Sequence, residues 1–173
     1  MVHVVNPAPE PLMLEGVAAV EPVQIPPDQR EKILEQVRRA PGTHTETTAN
    51  FYCLEFLRPA PPAGVLYRIA PAAKQARFEP AVRALQSARR LRDLGRLSPD
   101  TNPESYFHSI RQWAVWTLEQ GFDREKFLDA FLEHAKKSFA RSGREWSEQV
   151  EVAVRRSAEG RWQDVTQVLA ESR

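Results

Sequence analysis

The chain has 173 residues, of which 42% are hydrophobic and 27% charged, and its formal net charge is +1. This composition is typical of a globular domain with a sizeable core, and the near-neutral charge gives no electrostatic basis for a nucleic-acid partner. No stretch approaches the roughly 18 apolar residues of a membrane span, and the first residues lack the basic start and apolar core of a signal peptide. We therefore expect no membrane insertion and no nucleic-acid binding.

The N-terminal region is rich in proline, which disfavours both helix interiors and central strands. We interpret residues 1–27 as an extended arm, with a short edge strand possible at 16–20, and residues 28–173 as a single domain. A first helix is predicted to open at Asp28 and to end before Pro41 and Gly42. The prolines of the arm are Pro7, Pro9, Pro11, Pro22, Pro26 and Pro27.

Two stretches after this helix have the composition of strands. Residues 50–57 (NFYCLEFL) are rich in aromatic and other apolar side chains, and residues 65–70 (VLYRIA) form a second such run. The proline-rich turn at 58–64 separates them. The two stretches are therefore predicted to pair as a hairpin with an irregular loop.

The rest of the chain has helical periodicity. The central helix is predicted at 105–121, with Asn102 as its N-cap and Pro103 at its first position. Its apolar residues occur almost all round, so we expect other elements to pack against it. Further helices are predicted at 78–94, 123–143, 146–160 and 162–169.

These elements predict an α+β fold. A short antiparallel β element carries Cys53, the single cysteine, and it packs on a helix-rich bundle whose central helix carries Gln112. A single cysteine cannot form an internal disulfide, so its side chain is a core group, a nucleophile or half of another cross-link. Gln112 is a carboxamide among aromatic residues and also needs an explanation.

The sequence around these two residues resembles the Cys-Gln thioester domains of bacterial surface adhesins. Cys53 lies in YCLE (52–55), which is followed by a proline-rich turn and by GVLY (64–67), and Gln112 lies in RQWAVW (111–116). The family has a Tyr-Cys-Leu-Asp/Glu strand motif and a Thr-Gln-x-Ala-Ile-Trp helix motif. The likeness spans about residues 51–122, and Arg111 stands where the family has threonine.

The resemblance implies a function and a set of site residues. Cys53 and Gln112 would form an internal thioester that captures an amine, such as a lysine of a target protein or surface, once per molecule. The implied location is secreted or at the cell surface, although nothing in the sequence excludes the cytoplasm, and no cofactor is implied. The motif residues that would shield the bond from water are Tyr52, Trp113, Ala114 and Trp116.

Thioester formation needs a positioned nucleophile and a proton carrier. A cysteine thiol is held against an amide carbon, and effective molarities of roughly 10⁵–10⁸ M make up for the poor electrophile. His108 lies one turn before Gln112 on the same helix face, so it is a candidate proton shuttle. The sequence thus predicts Cys53, Gln112 and His108 as the reactive residues.

Two other interpretations fit the same residues. Cys53 can be an ordinary buried core cysteine of a helical protein-interaction module, with Gln112 bonded to a neighbouring backbone group. Alternatively, Cys53 and His108 can be the reactive pair of a hydrolase or transferase. The basic run at 88–96 is interpreted as a solvated helix face, and His44 and His134 lack metal-ligand spacing, so no metal site is predicted.

Overall fold

A computed structural model of the chain describes residues 72–173 without a gap and residues 50–56. It also describes the backbone of the segments 12–14, 18–22 and 67–69, together with a few residues between 27 and 35. The predicted first helix falls mostly outside the described residues, within which the structure shows the 3₁₀ turn Pro27–Gln29 and helical backbone at residues 31, 32 and 35. The turn predicted at 58–64 lies outside them as well.

Four α-helices form the described body of the protein. They are α1 (Ala72–Asp93), α2 (Pro103–Gln120), α3 (Arg124–Arg141) and α4 (Glu148–Glu171). Helix α2 packs against α1 and α4, and α4 also packs against α1 and α3. None of these helices combines the length and apolarity needed to cross a bilayer.

The sequence signals at the ends of α2 are confirmed. Asn102 accepts a hydrogen bond from the backbone N–H of Ser105, and Pro103 takes the first helical position. Gly121 ends the helix in the left-handed conformation with φ of 63°, which glycine adopts without steric cost, and its N–H bonds the carbonyl of Thr117. The helix is therefore fixed at both ends.

The predicted central position of α2 is confirmed by its burial. From Ile110 to Thr117 the only side chain that is not buried is that of Gln112, which is half-buried. A helix buried on nearly every side must be covered by other elements. Its residues form the main core with side chains from all three other helices, including Leu91, Phe127 and Val165.

Strands are short, and they do not pair as the sequence predicts. The four strands β1 (Leu12–Leu14), β2 (Ala18–Pro22), β3 (Phe51–Cys53) and β4 (Tyr67–Ile69) pair antiparallel in the order β3-β1-β2-β4. The predicted hairpin is therefore wrong, because β3 pairs with β1 and β4 with β2. Cys53 lies opposite Leu12 in the β3–β1 register.

The predicted α+β class is also wrong. Of the residues whose side chains the structure describes, 77% are helical. Only two of these residues, Tyr52 and Cys53 of β3, lie in a strand. The aromatic run at 50–57 has strand composition over its whole length, but its extended geometry ends at Cys53. Helix packing, rather than packing on a sheet, therefore forms the core. The division into an arm and a domain remains a prediction.

The helix boundary predicted at Gly160 is wrong. Separate helices were predicted on either side of Gly160, but α4 runs through it from Glu148 to Glu171. A glycine inside a helix costs about 1 kcal/mol relative to alanine. Buried neighbours on the same helix, Ala158, Val165 and Val168, anchor α4 on both sides of Gly160, so packing outweighs this cost.

A buried carboxylate connects the loop between α1 and α2 to α4. Asp164 is almost fully buried and accepts hydrogen bonds from the Ser98 backbone N–H (3.0 Å), the Ser98 hydroxyl (3.1 Å) and the Tyr106 hydroxyl (2.7 Å). Burial and this carboxylate raise the pKa of Tyr106 far above its ordinary value, so its hydroxyl stays a donor.

Replacing this carboxylate should strongly destabilise the protein. Asp164→Ala leaves the Tyr106 hydroxyl and the Ser98 N–H without their acceptor, and unsatisfied buried groups cost about 1–3 kcal/mol each. We expect a loss of about 3 kcal/mol in the free energy of unfolding, measured by urea denaturation. Asp129→Ala, at an exposed position of α3, is the matched control and should change little. Equal stability of the two variants would contradict this role.

Candidate functional site

The structure places Gln112 directly beside Cys53. The Cys53 backbone N–H donates to Gln112 Oε1 (2.9 Å), and Gln112 Nε2 donates to the Cys53 carbonyl oxygen (2.7 Å). Both ends of the carboxamide are thus bonded to the same residue. Because β3 is the outermost strand, the carboxamide occupies the position that a further strand would take and fixes β3 to α2.

This geometry also polarises the carboxamide. Its oxygen faces an N–H donor and its nitrogen faces a carbonyl, so the carbon between them is held against the residue that carries the thiol. A donor at a carbonyl oxygen stabilises the negative charge that develops when a nucleophile attacks the carbon. The two residues 59 positions apart in sequence therefore meet in an arrangement that can support acyl chemistry.

The Cys53 thiol is half-buried against the main core. Burial raises the pKa of Cys53, because the apolar surroundings disfavour the thiolate. At neutral pH the resting side chain is therefore a thiol rather than a nucleophilic thiolate.

His108 contacts Tyr52 rather than standing alone. The Tyr52 hydroxyl lies 3.0 Å from His108 Nδ1, and Glu104 Oε2 lies 3.9 Å from His108 Nε2. Tyr52 is almost fully buried, whereas His108 is partly exposed. Glu104 and His108 thus lie between solvent and the buried Tyr52, which directly precedes Cys53.

Arg111, at the position where the thioester domains have threonine, is buried with 5% of its surface exposed. Its guanidinium carbon lies 4.6 Å from the centre of the Tyr52 ring and 5.2 Å from that of Phe107. Such stacking compensates for part of the cost of burying the charge. The departure from the family motif thus places a cation over the tyrosine beside Cys53.

Aromatic side chains enclose this region on the side towards α3. Of the predicted shielding residues, Tyr52, Trp113, Ala114 and Trp116 are all buried. Phe56 also belongs to this group, although it was not among the predicted shielding residues. The run 50–57 was predicted as one strand, but its extended geometry ends at Cys53, and the Phe56 ring packs 5.5 Å from Trp113 and 5.1 Å from Trp116.

Trp116 Nε1 and Thr117 Oγ1 on α2 are buried polar atoms that have no hydrogen-bonding partner among the described residues. Trp116 follows Gln112 by four residues, so the two share a helix face. An unsatisfied buried donor lowers stability, and here it leaves an N–H on the helix face that carries the candidate carboxamide.

Metal chemistry has no geometric support in the part of the chain that the structure describes. No group of three or more histidine, cysteine, aspartate or glutamate side chains lies close enough to hold an ion there. His134 contacts Trp113 and Trp116 instead, with ring centres 5.9 and 5.8 Å away. The basic run at the end of α1 is engaged in ion pairs, with Arg90 and Arg96 contacting Glu171.

Comparison with known proteins identifies no relative of the chain: no protein-family model, curated protein or solved structure matches it.

The contact between His134 and the two indoles predicts a pH effect on stability. Partial burial, together with the positive charges of Arg141 and Lys137, lowers the pKa of His134 below its ordinary value of 6.5. The unfolded chain then binds a proton at a higher pH than the folded chain does. This histidine therefore reduces stability as the pH falls below about 6.5, and the reduction disappears at higher pH.

His134→Gln should accordingly stabilise the protein at about pH 5 relative to wild type while having less effect at about pH 8. Urea denaturation at both pH values measures the difference. Lys137→Gln removes one of the two nearby charges and should produce a smaller change in the same direction. A difference between His134→Gln and wild type that is independent of pH would contradict this assignment.

Proposed function

We propose that the chain carries an internal thioester between Cys53 and Gln112 and uses it for covalent adhesion. The observation that carries the proposal is the pair of hydrogen bonds, 2.9 and 2.7 Å long, between the Gln112 carboxamide and the Cys53 backbone. Sequence motifs led to the same two residues independently of this geometry.

Formation of the bond is a substitution at the amide carbon. The Cys53 sulfur attacks Gln112 Cδ, negative charge develops on Oε1, and Nε2 leaves as ammonia with the proton of the thiol. The Cys53 N–H already faces Oε1, so the residue that supplies the nucleophile also supplies a donor for the oxyanion. Proximity supplies the larger part of the rate enhancement, because β3 and α2 hold the two reacting groups together.

Use of the bond is a second substitution. A primary amine attacks the thioester carbonyl, an amide forms on Gln112, and Cys53 is released as a free thiol. Nothing regenerates the thioester, so each molecule acts once and is a covalent binder rather than an enzyme with turnover. Trp113, Trp116 and Phe56 exclude water from one side of the bond and so slow its hydrolysis.

The partner implied by this chemistry is a protein or another surface that displays accessible amines. The thioester domains that the sequence motifs resemble belong to surface adhesins. We therefore propose a secreted or cell-surface location for the protein.

One observation favours the non-catalytic alternative, a helical interaction module. The same two hydrogen bonds satisfy the backbone N–H and carbonyl of Cys53 at the edge of the sheet, which is a sufficient structural reason for a glutamine at this position. The hydrolase alternative has less support, because His108 Nδ1 is bonded to Tyr52 and because burial raises the pKa of the Cys53 thiol. A catalytic cysteine normally has a lowered pKa.

The intact mass of freshly purified protein, kept free of reductants and amines, tests the proposal. We expect a mass lower by one ammonia than the sequence requires. Cys53→Ala and Gln112→Ala should each restore the full mass, whereas Gln120→Ala, at the exposed end of the same helix, should keep the deficit.

The full sequence mass in fresh wild-type protein would contradict the thioester. Thiol alkylation then separates the alternatives. A core cysteine reacts only when the protein unfolds, and a catalytic cysteine reacts rapidly in the native state.

A further inference from the structure

The reciprocal pairing between Gln112 and Cys53 uses one particular hydrogen of the carboxamide. Oε1 accepts from the Cys53 N–H (2.9 Å), while Nε2 donates to the Cys53 carbonyl oxygen (2.7 Å). A glutamine amide carries two hydrogens on Nε2, one on the side of Oε1 and one on the side of Cγ. Because Oε1 and Nε2 both bond the same residue, the hydrogen that bonds the carbonyl is the one on the side of Oε1.

An amide formed by amine capture has no hydrogen at this position. Its nitrogen carries one hydrogen and the carbon of the amine, and such secondary amides are almost always trans. The trans form puts the carbon on the side of the oxygen and the hydrogen on the opposite side. That carbon, bonded at about 1.5 Å, would point at a carbonyl oxygen 2.7 Å from the nitrogen and overlap with it. The captured amide therefore cannot keep the reciprocal pairing.

We propose that amine capture releases β3 from α2 at Cys53, an inference that rests on the thioester proposed above. Before the thioester forms, the reciprocal pairing joins these two elements. In the thioester, the sulfur replaces Nε2, and the covalent bond joins them instead. After capture, the carbon–sulfur bond is broken and the pairing cannot re-form. The captured state therefore lacks both links between Cys53 and Gln112.

Two amines distinguish this release from simple cleavage of the thioester. Methylamine attacks the Gln112 carbonyl carbon, the carbon–sulfur bond breaks, and one proton of the amine passes to the Cys53 sulfur, which leaves an N-methylamide and a thiol. Ammonia reacts in the same way, but its product is the original carboxamide with both hydrogens on Nε2. Both amines free the thiol, and only ammonia restores the reciprocal pairing.

Other contacts keep the release local. The Tyr52 hydroxyl remains 3.0 Å from His108 Nδ1, and the Phe56 ring remains packed on Trp116. The pairing of β3 with β1 also remains. Because β3 is the edge strand on the side of Gln112, solvent takes the place of the carboxamide, and the backbone N–H of Cys53 becomes open to hydrogen exchange. We expect opening at this residue rather than unfolding of the strand.

Backbone hydrogen exchange measured by NMR tests the release. Wild-type protein whose intact mass shows the ammonia deficit is treated with either methylamine or ammonia at the same pH and concentration. We expect the Cys53 N–H to exchange about tenfold or more faster in the methylamine product than in the ammonia product. The N–H of Val115, a fully buried residue of α2, is the internal control and should exchange equally in both products.

Two variants supply the reference states. Cys53→Ala cannot form the thioester but keeps the Gln112 carboxamide and the backbone groups with which it pairs, so it represents the paired state. Gln112→Ala lacks the carboxamide and represents the released state. The N–H of residue 53 should exchange in the ammonia product as in Cys53→Ala, and in the methylamine product as in Gln112→Ala. The comparison of the two amines in wild type is sufficient if either variant fails to fold.

Three results would contradict the inference in different ways. Equal protection of the Cys53 N–H in the two products would overturn the release while leaving the thioester in place. Faster exchange of Val115 together with Cys53 in the methylamine product would show a general loss of stability rather than release at one residue, and would overturn it as well. The absence of an ammonia deficit in fresh wild-type protein would overturn the thioester itself.

Discussion

The site depends on one interaction, the reciprocal pairing of the Gln112 carboxamide with the backbone of Cys53. It joins the edge strand β3 to the central helix α2. The pairing depends on where α2 places Gln112. The Asn102 and Gly121 caps and the nearly complete burial of residues 110–117 define that position. The helix bundle can thus be understood as a support for one carboxamide.

Burial has opposing effects at this site. It excludes water and strengthens the hydrogen bond to Gln112 Oε1, but it also raises the pKa of the Cys53 thiol and so disfavours the thiolate. A reaction that happens once, inside one molecule, tolerates a slow nucleophile, because proximity compensates for low basicity. An enzyme that turns over repeatedly needs a more reactive nucleophile. The same burial therefore agrees better with a stored bond than with a hydrolase.

Local sequence signals predicted the helical part of the fold well and its nonlocal pairing poorly. Asn102, Pro103 and Gly121 act within one turn of the chain, so their positions define α2 directly. The pairing of β3 and β4 with the two strands of the arm depends on contacts between distant segments, and no local pattern specifies it. The predicted helix-rich character is confirmed, but the β element was overestimated for a related reason, since Phe56 packs on the indoles of α2 although the composition of the run 50–57 favours a strand.

The candidate site shows the same division. The motifs around Cys53 and Gln112 pointed to both residues and implied that they meet, whereas the pair of hydrogen bonds between them is seen only in the structure. Phe56 was not assigned to the aromatic enclosure, because residues 50–57 were predicted as one strand, whereas the extended geometry ends at Cys53. The contact between Tyr52 and His108 joins residues 56 positions apart and likewise has no local signature.

Peptide mapping after reaction with methylamine tests the central claim most directly. The account predicts one methylamide, located on Gln112, together with one newly accessible thiol on Cys53 in the same molecule. Methylamine bound elsewhere, or absent from Gln112 while Cys53 is an unmodified thiol from the start, would contradict the thioester and leave the paired carboxamide with a structural role alone.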